Sequence, residues 1–437
     1  MEGGEYIEIA GGSITEIVEE DYNIYAGGHI INTAAKSIIE TGENKGVVFG
    51  KPLNAPLIEL RAKCIVQFRP HNNWKGDFGF DWMRFGDTSL QQDNWYKNII
   101  GKNRDAVGRI SESTNYGQNL VPGLDEYEKL LKQFLVMKIN WKNDFYIVPW
   151  LTLFKNKTAI LSLKIEIEEP PKKLKFKYDE KLFELNHIEI ANKGKGKRTL
   201  PDFLKIKCIG TFNEDQFIDV MADDELAGRI KIHKNGKVDM KKVHIVLAKV
   251  RTNASGTMGG ETGNVTGEID KLKKYLGQAL ITPQVVIDNS VNLSTDSIFT
   301  ATFLRAGVIT YGQDIYHHGT LHNYMLTHYG LTNKYPDHFI IYVFDLPGIS
   351  GNISVGGEVF DIPSNNAMVF SIATRRTTAL VHEFLHGLGL HHTFGNQSTF
   401  TFTKGKTENI MDYLEIRCAI WKWQWDVIRK NKIVTIE

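Results

Sequence analysis

The stretch His382-Glu383-Phe384-Leu385-His386-Gly387-Leu388-Gly389-Leu390-His391-His392 constrains this chain more than any other. It contains HExxH and continues in frame as HxxGxxH, so His382, His386 and His392 stand at the spacing of three ligands on one metal. Two histidines four apart share one face of a helix, about a turn from each other. Glu383 sits beside the first of them, placed to act on a water rather than on the metal. Gly389 can take the left-handed backbone that ends a helix and turns the chain, which brings His392 back under the same ion. A bare HExxH also arises by chance on an amphipathic helix, with its histidines exposed or packed in the core. The glycine and the third histidine in frame argue against chance here.

Further along comes Asn409-Ile410-Met411-Asp412-Tyr413, a methionine followed two residues on by a tyrosine. With both pieces present the chain resembles the metzincin zinc peptidases, whose long motif HExxHxxGxxH is followed by a Met-turn. The resemblance covers the chain from about Lys241 onward, and its specific residues fall within 382–413. It implies Zn2+ held by His382, His386 and His392, with Glu383 as general base and Met411 as the apolar floor beneath the site. Tyr413 matches the tyrosine that astacin-like and serralysin-like members place near the metal. His391 is a departure, because a slip of one residue would let it compete for the metal; the spacing from Gly389 favours His392. No Gly-rich calcium nonapeptides occur, which argues against the β-roll of serralysins. The implied activity is that of a zinc-dependent endopeptidase acting on protein or peptide substrates. The alternative is a structural or adhesive protein whose peptidase-like domain is no longer catalytic, and the intact Glu383 speaks against it.

A chain of 437 residues is too long for one ordinary core, so several domains are expected. Hydrophobic residues at 42% and charged residues at 24% are those of a soluble globular protein. The net charge of +1 supports neither a nucleic-acid nor a membrane-surface partner. Nothing approaches 18 uncharged apolar residues, so no membrane span is expected. Cys64, Cys208 and Cys418 are far apart in apolar surroundings and read as buried free thiols. The start, Met-Glu-Gly-Gly-Glu-Tyr, has no basic region followed by an apolar run. A secreted protein is expected, either lacking its leader here or exported by another route, such as injection as a bacterial effector.

Along the chain, residues 14–45 form octads: ITEIVEED, YNIYAGGH, IINTAAKS, IIETGENK. Large apolar groups recur at one place and small ones half a repeat later, as in stacked β turns. The segment is similar to the trimeric octapeptide spike of contractile injection machines (type VI-like tip proteins), and an ordinary β-hairpin region remains the alternative. If spike-like, it would make the chain a homotrimer or join it to a secretion spike. Residues 57–69 and 77–86 look like strands, 101–123 like a loop or linker, and Leu124 to Met137 has helical spacing. The stretch Phe85-Gly86-Asp87 lacks one residue of the aspartate switch of astacin zymogens, so Asp87 reads as a turn residue. Alternating runs at Leu161 to Ile167, Leu174 to Tyr178 and Leu204 to Cys208 indicate half-buried antiparallel strands.

From Lys241 the pattern changes. Val243 to Val250, His338 to Asp345 and Ala367 to Ser371 read as strands, Glu268 to Leu280 and Thr377 to Leu388 as helices. A substrate edge is expected in 354–360. A second histidine group, His317, His318, His322 and His328, reads as a mixed polar helix. Trp421 to Trp425 reads as a C-terminal helix packed into the core. The whole is expected as a multidomain α+β protein: an octad β segment 1–50, a β-rich domain with one helix 51–143, an immunoglobulin-like β-sandwich 144–240, and a metzincin-like α/β catalytic domain 241–437.

Overall fold

In the computed structural model the described residues are 58–111, 119–254, 260–310, 318–351, 353–371, 376–414 and 417–437. The octads at 14–45 lie outside them. The chain is mixed α/β and strand-rich, with several sheets. Among the described residues no helix is long and apolar enough to cross a membrane.

Two antiparallel-rich sheets share a core in the N-terminal half. One orders Phe183–Leu185, Gly196–Cys208, Thr158–Ile167 and Cys64–Pro70; the other orders Leu174–Lys177, Gln216–Ala222, Glu225–Ile232, Trp150–Thr152 and Gly79–Asp81. The alternation seen in the sequence is the cause. Ala159, Leu161, Leu163, Ile165 and Ile167 all point inward from one strand and are buried. Cys64–Pro70 pairs with that strand across its whole length, so these sheets draw strands from either side of residue 144.

The C-terminal half is built on a sheet in the order Ile281–Asp288, Lys241–Lys249, Phe339–Val343, Asn366–Val369 and Gly357–Glu358, with Val434–Ile436 pairing back onto Lys241–Val243. Its first four strands run parallel and the last, Gly357–Glu358, is antiparallel. The inner parallel strands are covered on both faces, which is why they read as unbroken apolar runs, while Val286 and Ile287 of the outer strand stay exposed. Ile245, Leu247, Phe339, Ile341 and Val343 pack with helices Glu268–Gly277 and Ala379–Gly387. Val246, Ala248, Ile340 and Tyr342 face the other way, toward Phe299 and Phe303 of the helix Ser297–Phe303 and Leu321 and Met325 of the helix His318–Tyr329. The strands and helices expected here are present, together with a strand, Ile281–Asp288, and a helix, Ser297–Phe303, that the sequence did not single out.

Two sequence expectations need correction. Residues 101–123 are not a plain linker: Ile100–Asn103 pairs with Leu120–Pro122, and on its other side with Thr401–Phe402. Main-chain bonds hold this sheet, so its side chains need not be apolar and leave little pattern. The helix from Leu124 stops at Leu131, and Leu135–Ile139 is a strand paired with Asp144–Val148. A four-residue apolar spacing suits one helical turn and two strand repeats alike.

The halves meet across buried polar groups. Arg84, fully buried, pairs with Asp81 and with Glu408, while its guanidinium lies 3.6 Å from the centre of the Trp82 ring. Thr152 Oγ1 donates to the Gln278 carbonyl at 2.7 Å, and Gln278 Nε2 donates to the Cys418 carbonyl at 2.8 Å. These contacts hold the segment carrying Met411 against the N-terminal strands. The three cysteines are free and buried, as their surroundings suggested.

Candidate metal centre

The helix Ala379–Gly387 buries all nine of its residues. Leu380, Val381, Phe384 and Leu385 belong to the core beneath the sheet, where Phe384 meets Phe339 edge to face at 4.8 Å. His382 and His386 are buried on the same helix, at 4% and 5% exposure. Gly389 adopts φ +105°, and Leu390 N–H closes the helix end on the Leu385 carbonyl at 3.0 Å. A side chain at Gly389 would be strained in that backbone. The turn it allows carries the chain back to the helix.

Three imidazole nitrogens converge there. Nε2 of His382 and His392 are 3.1 Å apart, those of His386 and His392 3.0 Å, and those of His386 and His382 3.1 Å. The opposite ring nitrogens fix the tautomers. His382 Nδ1 lies 2.9 Å from the Ile410 carbonyl and His386 Nδ1 2.6 Å from the Leu390 carbonyl. A carbonyl only accepts and is the nearer partner of each Nδ1, the Arg417 guanidinium lying farther from that of His382 at 3.3 Å, so each Nδ1 carries the proton and each Nε2 presents a lone pair. Two lone pairs facing each other at 3.1 Å repel, and a shared cation resolves the repulsion. The separation is close to the roughly 3.3 Å kept by imidazoles on one tetrahedral zinc with bonds near 2.0–2.1 Å. The donor set therefore fits a metal ion, and these three residues form a group able to hold one. His391 is not part of that group, so the frame runs through His392.

Burial, with mutual repulsion and the nearby Arg417 charge, pushes His382 and His392 well below the usual imidazole range. Burial takes His386 down to about 4. All three are neutral at pH 7, the form that ligates. Burial and then the Glu358 carboxylate raise Glu383 to about 8, against the pull of Arg417. In the metal-free protein this carboxyl is therefore mostly protonated at pH 7, because burial and a like charge disfavour its ionised form.

His386 and His392 open on a cleft of about 540 Å³ lined also by Val355 and residues 357–362, and by Glu383, His391, Gln397 and Tyr413. Tyr413 is 40% exposed; its ring centre is 4.8 Å from that of His392 and 5.9 Å from that of His382. Met411 is fully buried in the core, with its N–H donating to Asn409 Oδ1 at 2.9 Å. Gly357, on the sheet-edge strand, approaches so closely that a Cβ there would lie 2.5 Å from Glu383 Cγ.

Two groups were not singled out by the sequence, although the first lies in the edge expected at 354–360. Glu358 enters the cleft because its strand pairs with Asn366–Val369. Arg417, 5% exposed, donates to the Asp412 carbonyl at 2.8 Å and to Thr378 Oγ1 at 2.7 Å, tying the Met411 turn to the start of the ligand helix. Other candidates fall away from the trio. The Asp87 carboxylate is held by Arg69 at 2.8 Å and Lys164 at 3.2 Å, as suits a turn residue in an ion pair. His322 is bonded to Asn366, and the His328 ring packs on Tyr324 at 4.5 Å. His317 lies outside the described residues, as does the side chain of His318.

No protein-family model matches this chain, and no curated protein matches it either.

Proposed function

We propose that the chain is a zinc-dependent endopeptidase of metzincin kind, its α/β unit beginning near Lys241 behind an immunoglobulin-like sandwich. The observation that carries this reading is the convergence of three neutral imidazoles, two buried and one half-buried, beside a carboxylate that is not one of them, with His386, His392 and Glu383 lining an open cleft. A purely structural site closes its fourth position with protein; this one faces a cavity. Zinc held by His382, His386 and His392 would supply an electrophile for the peptide carbonyl and acidify a water.

The chain's own groups do the rest. Glu383, beside the trio but not part of it, takes the water's proton and hands it to the leaving amine. The Tyr413 hydroxyl donates to the oxyanion. Gly357–Glu358 ends its sheet and leaves one side for an extended substrate to pair with, at the rim expected from 354–360. The absence of a side chain at Gly357 lets that strand lie against Glu383.

The test is zinc content together with casein hydrolysis in Glu383→Ala. Zinc retained at one per chain with proteolysis lost supports the reading, since Glu383 is not a ligand. Full activity, or loss of zinc, would refute it.

A further inference from the structure

We infer that Asn103, on a strand of the N-terminal half, is a positioning residue for the third histidine. The inference rests on the metal-site reading above and does not need the peptidase one. His382 and His386 are oriented by their helix and by Nδ1 bonds to main-chain carbonyls. His392 stands outside the helix, on the segment after Gly389, so its ring direction has to come from its neighbours. The flattest of these contacts is Phe394, fully buried, whose ring stacks on His392 at 4.8 Å and 11°. Phe394 also meets Tyr413 edge to face at 4.9 Å. One ring thus braces both the third histidine and the tyrosine of the cleft.

What fixes Phe394 comes from far away in sequence. Asn103 Nδ2 donates to the Phe394 carbonyl at 2.7 Å across 291 residues. Asn103 N–H donates to Asn396 Oδ1 at 2.9 Å, and Asn396 Nδ2 returns bonds to the carbonyls of Asn103 at 2.9 Å and Ser111 at 2.7 Å. Pairing of Thr401–Phe402 with Ile100–Gly101 extends the same attachment. The segment after His392 is therefore pinned to Ile100–Asn103 at Phe394 itself and again beyond it, at Asn396 and Thr401–Phe402. Asn103 is 7% exposed, so its amide bond to Phe394 is shielded from competing water. Without it the carbonyl is released, the ring of Phe394 gains freedom, and His392 no longer waits at the point where the other two Nε2 atoms meet. Groups behind a metal's ligands matter because they set ligand direction before the ion arrives.

The experiment measures zinc affinity by chelator competition, thermal unfolding of the metal-free protein, and the visible spectrum of the cobalt-substituted protein. Asn103→Ala should weaken zinc binding about tenfold, the low end for groups behind the ligands, and shift the cobalt spectrum. Tyr146→Phe is the control: it removes bonds to Val66 and Arg229 within the N-terminal sheets and should lower thermal stability with zinc affinity unchanged. If Asn103→Ala fails to fold, Asn103→Asp and Phe394→Leu take its place, with the same loss of affinity expected. Parent-like affinity in the variants that fold, or an equal loss in Tyr146→Phe, overturns the inference. Zinc binding without peptide hydrolysis by the parent overturns the peptidase reading and leaves this test standing; no zinc binding by the parent overturns both.

Discussion

Holding His386 neutral inside the fold has a cost that appears when the metal-free protein is acidified. The ordinary imidazole value is 6.5, and burial takes His386 down to about 4. The unfolded chain therefore takes up this proton first as pH falls, and the folded state resists it. A depressed histidine contributes stability that is present above 6.5 and lost between 6.5 and about 4. With 1.36 kcal/mol per pKa unit, the loss is on the order of 3 kcal/mol. Glu383 acts in the opposite sense: raised to about 8, it favours the folded state while protonated, and that contribution fades as pH rises from 4.5 through 8. The two slopes overlap between 4.5 and 6.5, so the parent alone is uninformative. The assay is urea unfolding of metal-free parent and His386→Gln at several pH values from 7.5 to 4. The variant should lose less stability than the parent across 6.5 to 4, the gap closing by about 3 kcal/mol. Parallel curves would mean that His386 protonates freely in the fold, and the argument from facing lone pairs would fall.

Three further outcomes are expected. His392→Ala should abolish stable zinc binding while His391→Ala leaves it near the parent value by chelator competition, because only His392 joins the trio; the reverse would shift the frame by one residue. Tyr413→Phe should reduce turnover roughly ten- to a thousand-fold with little change in KM, and parent-rate cleavage would remove the phenol from the chemistry. The octads should drive trimerisation, seen as a threefold mass in sedimentation that disappears when residues 1–50 are deleted; a monomeric full-length chain would make that segment an arm or hairpin.

The site was legible where one stretch of chain carries its own geometry. The helical period alone puts His382 and His386 on one face, and Gly389 announces the turn. The strand Phe339–Val343 was equally plain, since burial on both faces leaves an unbroken apolar run. Legibility ends where a partner distant in sequence decides. Ile100–Asn103 looked like linker because its pairing with Thr401–Phe402 is made by main-chain groups that every residue possesses. Glu358 and Arg417 reach the site through pairings that no local period encodes. His391 and His392 show the same divide within the motif itself. They are adjacent and chemically identical, and a turn could present either one to the ion. Their difference lies in the segment behind them, where Phe394 packs flat on His392 and is held by Asn103. Part of the motif's meaning is thus written 291 residues upstream of Phe394, in a strand that carries no metal-binding residue of its own.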